Sequence, residues 1–233
     1  MKTTQHGAFL TQVTRYPGIF PINVYLVRED DGFTLIDTGM SGGARDYVEI
    51  AAGLGAPIKR IVLTHAHGDH AGSLDTLHAA LPTAEVILTA RQTRLLHGDL
   101  GLDPTEPQSK LRGWWVPQTT SPNRVLQVGE RVGSLQTIAA PGHTPDNIAF
   151  VDTRDHSLIA GDAFQTQAGI AVSGTMRLGF PFPAMATWDK PTALQSAKTL
   201  RALNPSRLAV GHGAVLENPT ADMDAAIAKA QGA

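Results

Sequence analysis

Thr64-His65-Ala66-His67-Gly68-Asp69-His70 sets three imidazoles and a carboxylate, all able to bind a metal ion, within six positions. The stretch closes an expected strand over residues 58–64, whose Ile61-Val62-Leu63 run is wholly apolar, as in strands buried on both faces. A helix is expected immediately after it, over residues 71–81, ended by Pro82. Where an extended chain end continues, residues two apart point the same way, so His65 and His67 can grip one ion together. Gly68 is expected to let the chain turn and bring Asp69 and His70 round to a second ion. A surface turn that merely happened to be polar would not need so apolar a strand leading into it.

Three further places supply what that half-site lacks. Ala140-Pro141-Gly142-His143-Thr144-Pro145, Ala160-Gly161-Asp162-Ala163 and Val210-Gly211-His212-Gly213 each end an apolar run with one ligand-type residue beside glycine. Side chains placed this way collect at one rim of a sheet, which groups His143, Asp162 and His212 with the first stretch. His6, His78, His97 and His156 have no such context and are expected to be surface or packing residues.

Working outward, β-rich runs over 22–28 and 33–37 flank the polar turn Glu29-Asp30-Asp31-Gly32. Tyr47, Ile50, Ala51 and Leu54 then fall at helical spacing, with Gly55 where such a helix would stop. A strand over 85–89 precedes a proline-bearing stretch, 101–123, which holds Trp114 and Trp115 side by side. Strands follow over 135–139, 147–151 and 157–160, then an apolar but aperiodic stretch over 164–188. A helix over 191–203 carries Leu194, Ala197 and Leu200 on one face. A short strand (207–210) and a helix with Met223, Ala226, Ile227 and Ala230 facing inward (219–230) close the chain. The two halves share a strands-then-helix rhythm, which predicts an α/β protein with two sheets packed face to face and helices outside, one domain over 1–233.

Bulk composition narrows the chemistry. The 233 residues are 42% hydrophobic and 17% charged, as in a globular chain with a sizeable core. A net charge of -2 gives no field to attract nucleic acid or anionic lipid, so a small-molecule substrate is expected. Cysteine is absent, which excludes disulfides and every thiolate metal site. Neither a signal-peptide run in residues 1–10 nor a later membrane span is evident, so the default expectation is cytoplasmic, with a homodimer an open option.

H-x-H-x-D-H after a strand, then P-G-H-T-P, G-D and G-H-G, resemble the metallo-β-lactamase superfamily of αββα hydrolases, from the Asp37-Thr38-Gly39 turn to His212. That resemblance implies a four-layer αββα sandwich of two mixed sheets. Residue by residue, it implies that His65, His67 and His143 hold one metal, that Asp69, His70 and His212 hold a second, and that Asp162 bridges both. Asp37 would orient a ligand histidine from behind. Nitrogen with oxygen ligands suits zinc first, with iron, manganese or cobalt as alternatives.

The activity so implied is hydrolysis of an ester, thioester or lactone in a partly apolar small substrate by a hydroxide shared between two divalent ions. Asp162 would set the metal spacing, and Asp69 would orient the nucleophile and take its proton. Candidate pocket residues are Trp114, Trp115, Phe164, Gln165, Phe180 and Phe182. The tryptophans could equally be core anchors, and the stretch after Asp162 could equally be a dimer contact. Several branches of the superfamily fit less well. No cysteine is present for a class B β-lactamase site, and 21 residues after His212 leave no room for a glyoxalase-type helical domain. Flavodiiron proteins have glutamate where His67 stands. N-acyl homoserine lactonases, the nearest alternative, often place tyrosine where this chain has Gln165. The chain lacks the basic patch of a nuclease or phosphodiesterase, and a one-iron persulfide dioxygenase would not need the second-metal residues.

Overall fold

The computed structural model describes residues 1–232. Its contacts divide the chain into two compact units, Met1–Asp99 with Trp114–Gln127, and Leu100–Gly113 with the chain from Val128 onward.

The first unit is built on a seven-stranded mixed sheet whose strands lie in chain order: β1 (Lys2–His6), β2 (Leu10–Arg15), β3 (Ile22–Glu29), β4 (Gly32–Ile36), β5 (Ile58–Val62), β6 (Glu85–Leu88) and β7 (Arg124–Val125). The first four pair antiparallel, and β4 through β7 run parallel. Parallel neighbours need crossovers, and helices occupy them. They are α1 (Ala44–Gly53), α2 (Gly68–Ala71) with α3 (Leu74–Ala80), and α4 (Ala90–Leu96). Leu35, Ile36, Ile61, Val62, Val86 and Ile87 are all buried, so the apolar central strands form the core.

Three features depart from the sequence reading. The strands β1 and β2 carry polar residues without an apolar alternation; their full register, from Lys2 opposite Thr14 to His6 opposite Leu10, comes from the pairing itself. The helix α4 has a Thr89/Gln92 capping box, a local signal that marks its start. The helix expected over 71–81 is two helices. At the break, a Cβ on Gly72 would meet the Ser41 backbone nitrogen at 2.8 Å. Ser73 Oγ there donates to Met40 O (2.7 Å) and accepts from Gly43 N–H (3.1 Å), so the break holds the loop that precedes α1.

The second unit holds β8 (Arg131–Val132), β9 (Leu135–Ala139), β10 (Ile148–Asp152), β11 (Ser157–Ile159), β12 (Phe164–Gln165), β13 (Ala171–Val172), β14 (Arg207–Ala209) and β15 (Leu216–Glu217). Six of them form a sheet in the order β15-β14-β11-β10-β9-β8, in which only β11 and β14 pair parallel; β12 and β13 form a separate pair. Its helices are α5 (Phe182–Ala186), α6 (Lys190–Ala202) and α7 (Thr220–Gln231). The sheet buries Leu158 and Leu208 with Ala197 and Leu200 of α6 and Met223, Ala226 and Ile227 of α7. Phe164 belongs to this core, fully buried, opposite Val172 in the β12–β13 pair. It is therefore a packing residue and not a pocket wall, contrary to the sequence expectation. Two mixed sheets with helices make this an α/β protein. Among the described residues no helix is long and apolar enough to cross a membrane.

Candidate metal centre

In the first unit the cluster begins three residues beyond β5. His65, His67 and His70 are buried, while the Asp69 side chain keeps 18% exposure. The His65 ring lies 4.9 Å from that of His67 and 4.1 Å from that of His70, and His70 Nε2 is 3.9 Å from Asp69 Oδ2.

Behind these rings sits Asp37, just past the end of β4, in the left-handed region at φ 65. Aspartate tolerates that conformation better than most residues. Its Oδ1 accepts from Thr64 N–H (2.6 Å), and its Oδ2 accepts from His70 Nδ1–H (2.8 Å) and from the Thr64 hydroxyl (2.8 Å). Thr64 thus spends its one proton on the carboxylate, so its oxygen, 3.1 Å from His65 Nδ1, accepts from that ring. One carboxylate therefore sets two rings as Nδ1–H tautomers, and both present Nε2 as a lone pair. Sequence reading placed Asp37 behind a ligand but missed Thr64, whose role has no local pattern.

Gly68 is needed for a different reason from the one the sequence suggested. Its φ is not positive; what it supplies is space, because a Cβ there would lie 2.5 Å from Val116 Cγ2 and 3.0 Å from the Trp114 ring. Gly68 N–H donates to Trp114 O (2.7 Å), and the Trp115 ring stands 4.6 Å from the His67 ring, edge-on. Residues 114–116 strap the turn that carries His67 and Gly68. Trp115 is half-buried against His67, whereas Trp114 is 51% exposed.

In the second unit three chain ends meet. At Gly142 (φ +134) a Cβ would fall 2.2 Å from Ala193 N, so the start of α6 lies directly on the turn that carries His143. Trp188 N–H donates to His143 O and Asp189 N–H to Gly142 O, each at 2.9 Å. Gly211 N–H donates to Gly161 O (3.0 Å) and Thr166 N–H to His212 O (3.0 Å), which ties the Asp162 turn to the His212 turn. The outcome is that Asp162 Oδ2 lies 3.4 Å from His143 Nε2 and 3.2 Å from His212 Nε2, all three side chains buried.

Comparison with known proteins now bears directly on this arrangement. The model of the metallo-beta-lactamase superfamily matches residues 17–212. The chain belongs to the metallo-β-lactamase superfamily. The uncharacterized protein YobT of Bacillus subtilis is 47% identical over 233 residues, covering 99% of each chain. The probable metallo-hydrolase YflN of the same organism is 31% identical over 215 residues, covering 82% of this chain and 80% of its own. The crystal structure of TTHA1623 in a di-iron-bound form superposes with a TM-score of 0.65 at 28% identity, covering 90% of this chain and 95% of that one.

This metallo-β-lactamase superfamily chain has a donor set that fits divalent metal ions. A tetrahedral ion with bonds of about 2.0–2.1 Å holds its ligand atoms about 3.3 Å apart. The two contacts of Asp162 Oδ2, at 3.4 and 3.2 Å, have that spacing, so one carboxylate reaches a ligand-type nitrogen on each side. Of the remaining candidates, Phe180 is buried with its ring 5.5 Å from that of His212, and Phe182 packs on Phe180 with half its surface exposed. Gln165 is buried and donates from Nε2 to Gly169 O (3.3 Å). His6, His78, His97 and His156 lie in β1, in α3, just past α4 and in the turn before β11, outside both clusters.

Proposed function

We propose that this metallo-hydrolase uses two divalent ions to cleave an ester or thioester of a small, partly apolar substrate. His65, His67 and His143 would hold one ion, Asp69, His70 and His212 the other, and Asp162 both. The observation that carries this reading is the single Asp162 oxygen set at ligand spacing from both His143 and His212. Neither cluster alone has donors enough for two four-coordinate ions: the first offers four and the second three. When bound, the metals supply Lewis acidity and water activated at neutral pH. Zinc suits the donors best, and the di-iron form of TTHA1623 keeps iron as the alternative.

The chain's own groups do the rest. Asp162 would set the ion spacing. Asp69 is the most exposed of the ligand-type residues in the first cluster and would orient the attacking water and accept its proton. The hydrogen bonds at Nδ1 would keep the backed imidazoles from rotating away from bound ions. Trp114 and Phe182, both half-exposed and apolar, would meet the apolar part of the substrate. We place esters and thioesters ahead of acyl-homoserine lactones because Gln165 is turned inward onto Gly169 O, away from a tyrosine-like role.

A panel of esters, thioesters, lactones, phosphodiesters and β-lactams, run with metal content measured in parallel, tests the reading. Two metals per chain with turnover that rises with acyl length is expected, and Asp162→Ala should lower kcat by at least about 100-fold. Turnover unchanged in that variant, turnover confined to phosphodiesters, or one iron per chain with oxygen consumption would each overturn it.

A further inference from the structure

His143 is backed by a line of neutral groups that leads away from Asp162. Its Nδ1 lies 2.9 Å from Ser173 Oγ and 3.4 Å from Thr187 Oγ1, the two hydroxyls are 2.8 Å apart, and Thr187 Oγ1 donates to Pro183 O at 2.6 Å. All three side chains are buried. The direction of the line follows from its far end. A carbonyl oxygen only accepts, and a hydroxyl has one proton to give. Thr187 gives its proton to Pro183 O, so between the two hydroxyls Ser173 is the donor. Ser173 then has no proton left for the ring, and its oxygen accepts from His143 Nδ1–H. The reverse sense, with the ring protonated on Nε2, would require either that Thr187 leave the Pro183 carbonyl or that the two hydroxyls, 2.8 Å apart, lose their hydrogen bond.

We propose that Ser173 and Thr187 are positioning residues, a hydroxyl relay anchored on the Pro183 carbonyl that holds His143 as the Nδ1–H tautomer and keeps its Nε2 lone pair on the Asp162 side. Neither residue is one of the candidate metal-holding groups; both act through the ring. The segment carrying them is the aperiodic stretch between Asp162 and α6, so the relay gives that stretch a structural duty toward the site. Backbone bonds from Trp188 and Asp189 to the His143 turn hold the two ends of the relay in register. Ser173 also lines a cavity of about 230 Å³ with Val172, Thr175, Lys190 and Leu194.

The consequence for metal uptake rests on the reading of His143 as a ligand, and the test separates the two. In the full chain stripped of metal, long-range ¹H–¹⁵N spectra of labelled histidine, with His143 assigned by its loss in His143→Gln, report the tautomer directly. The wild type should show His143 as Nδ1–H. Thr187→Val, which keeps the volume, and Ser173→Ala should shift it towards Nε2–H, and Thr187→Ser should restore it. Zinc affinity by chelator competition should fall about tenfold in the first two and recover in the third. An Nε2–H ring in the wild type, or a tautomer that Thr187→Val leaves unmoved in a chain with unchanged circular dichroism, overturns the relay. A tautomer that moves as expected while zinc affinity stays constant upholds the relay and removes His143 from the ligand set.

Discussion

The two clusters solve one problem with different chemistry. In the first unit an anionic carboxylate, Asp37, holds His70 directly and His65 through Thr64. In the second, His143 leans on two neutral hydroxyls that end at a backbone carbonyl. A carboxylate makes the stronger, charge-assisted hydrogen bond and raises the basicity of the ring it backs, whereas a hydroxyl chain fixes orientation with little added charge. The first cluster should therefore depend on its backing group more steeply than the second.

Asp37→Asn is the sharpest way to break that contrast. It removes the charge behind two rings at once, and zinc affinity should fall about 100-fold, against about tenfold for Thr187→Val, both read by chelator competition. Equal losses would show that charge contributes nothing and that orientation alone matters. The turns differ in the same spirit. A Cβ on Gly142 would strike the backbone of α6 at a positive φ, so Gly142→Ala should cost about 2–3 kcal/mol in chemical denaturation. On Gly68 the nearest atom is the end of a valine side chain, which can move, and Gly68→Ala should cost only about 1 kcal/mol. A larger loss at Gly68 would reverse the ranking of the two turns.

The smallest effect concerns acid. Asp75, in the first unit, caps Thr119 and Thr120; burial works to raise its pKa, but those hydrogen bonds outweigh it and hold the carboxyl below its usual 3.8. Asp189, at the start of α6 in the second, is lowered in the same way by Thr192 and Ser109 against its own burial. Because both folded values lie below the unfolded one, their contribution is whole above about pH 4 and is lost as pH falls through the lowered values. Thermal melts from pH 6 to pH 3 should decline less steeply in Asp75→Asn and Asp189→Asn, each by about 1 kcal/mol or less. Declines parallel to the wild type would remove both groups from the acid response.

The candidate metal residues were legible because imidazole and carboxylate beside glycine, at the ends of apolar runs, are a local pattern, and their order along the chain carries the superfamily with it. The central strands were legible because burial on both faces demands apolar runs such as Ile61-Val62-Leu63. β1 and β2 were not, since strands so polar are specified by the partner they pair with. Thr64, Ser173 and Thr187 look like ordinary hydroxyl residues in the sequence, and Phe164 like a pocket aromatic. What each one does depends on groups brought near it by folding, and the direction of a hydrogen bond or the space beside a glycine exists only once those distant segments have met.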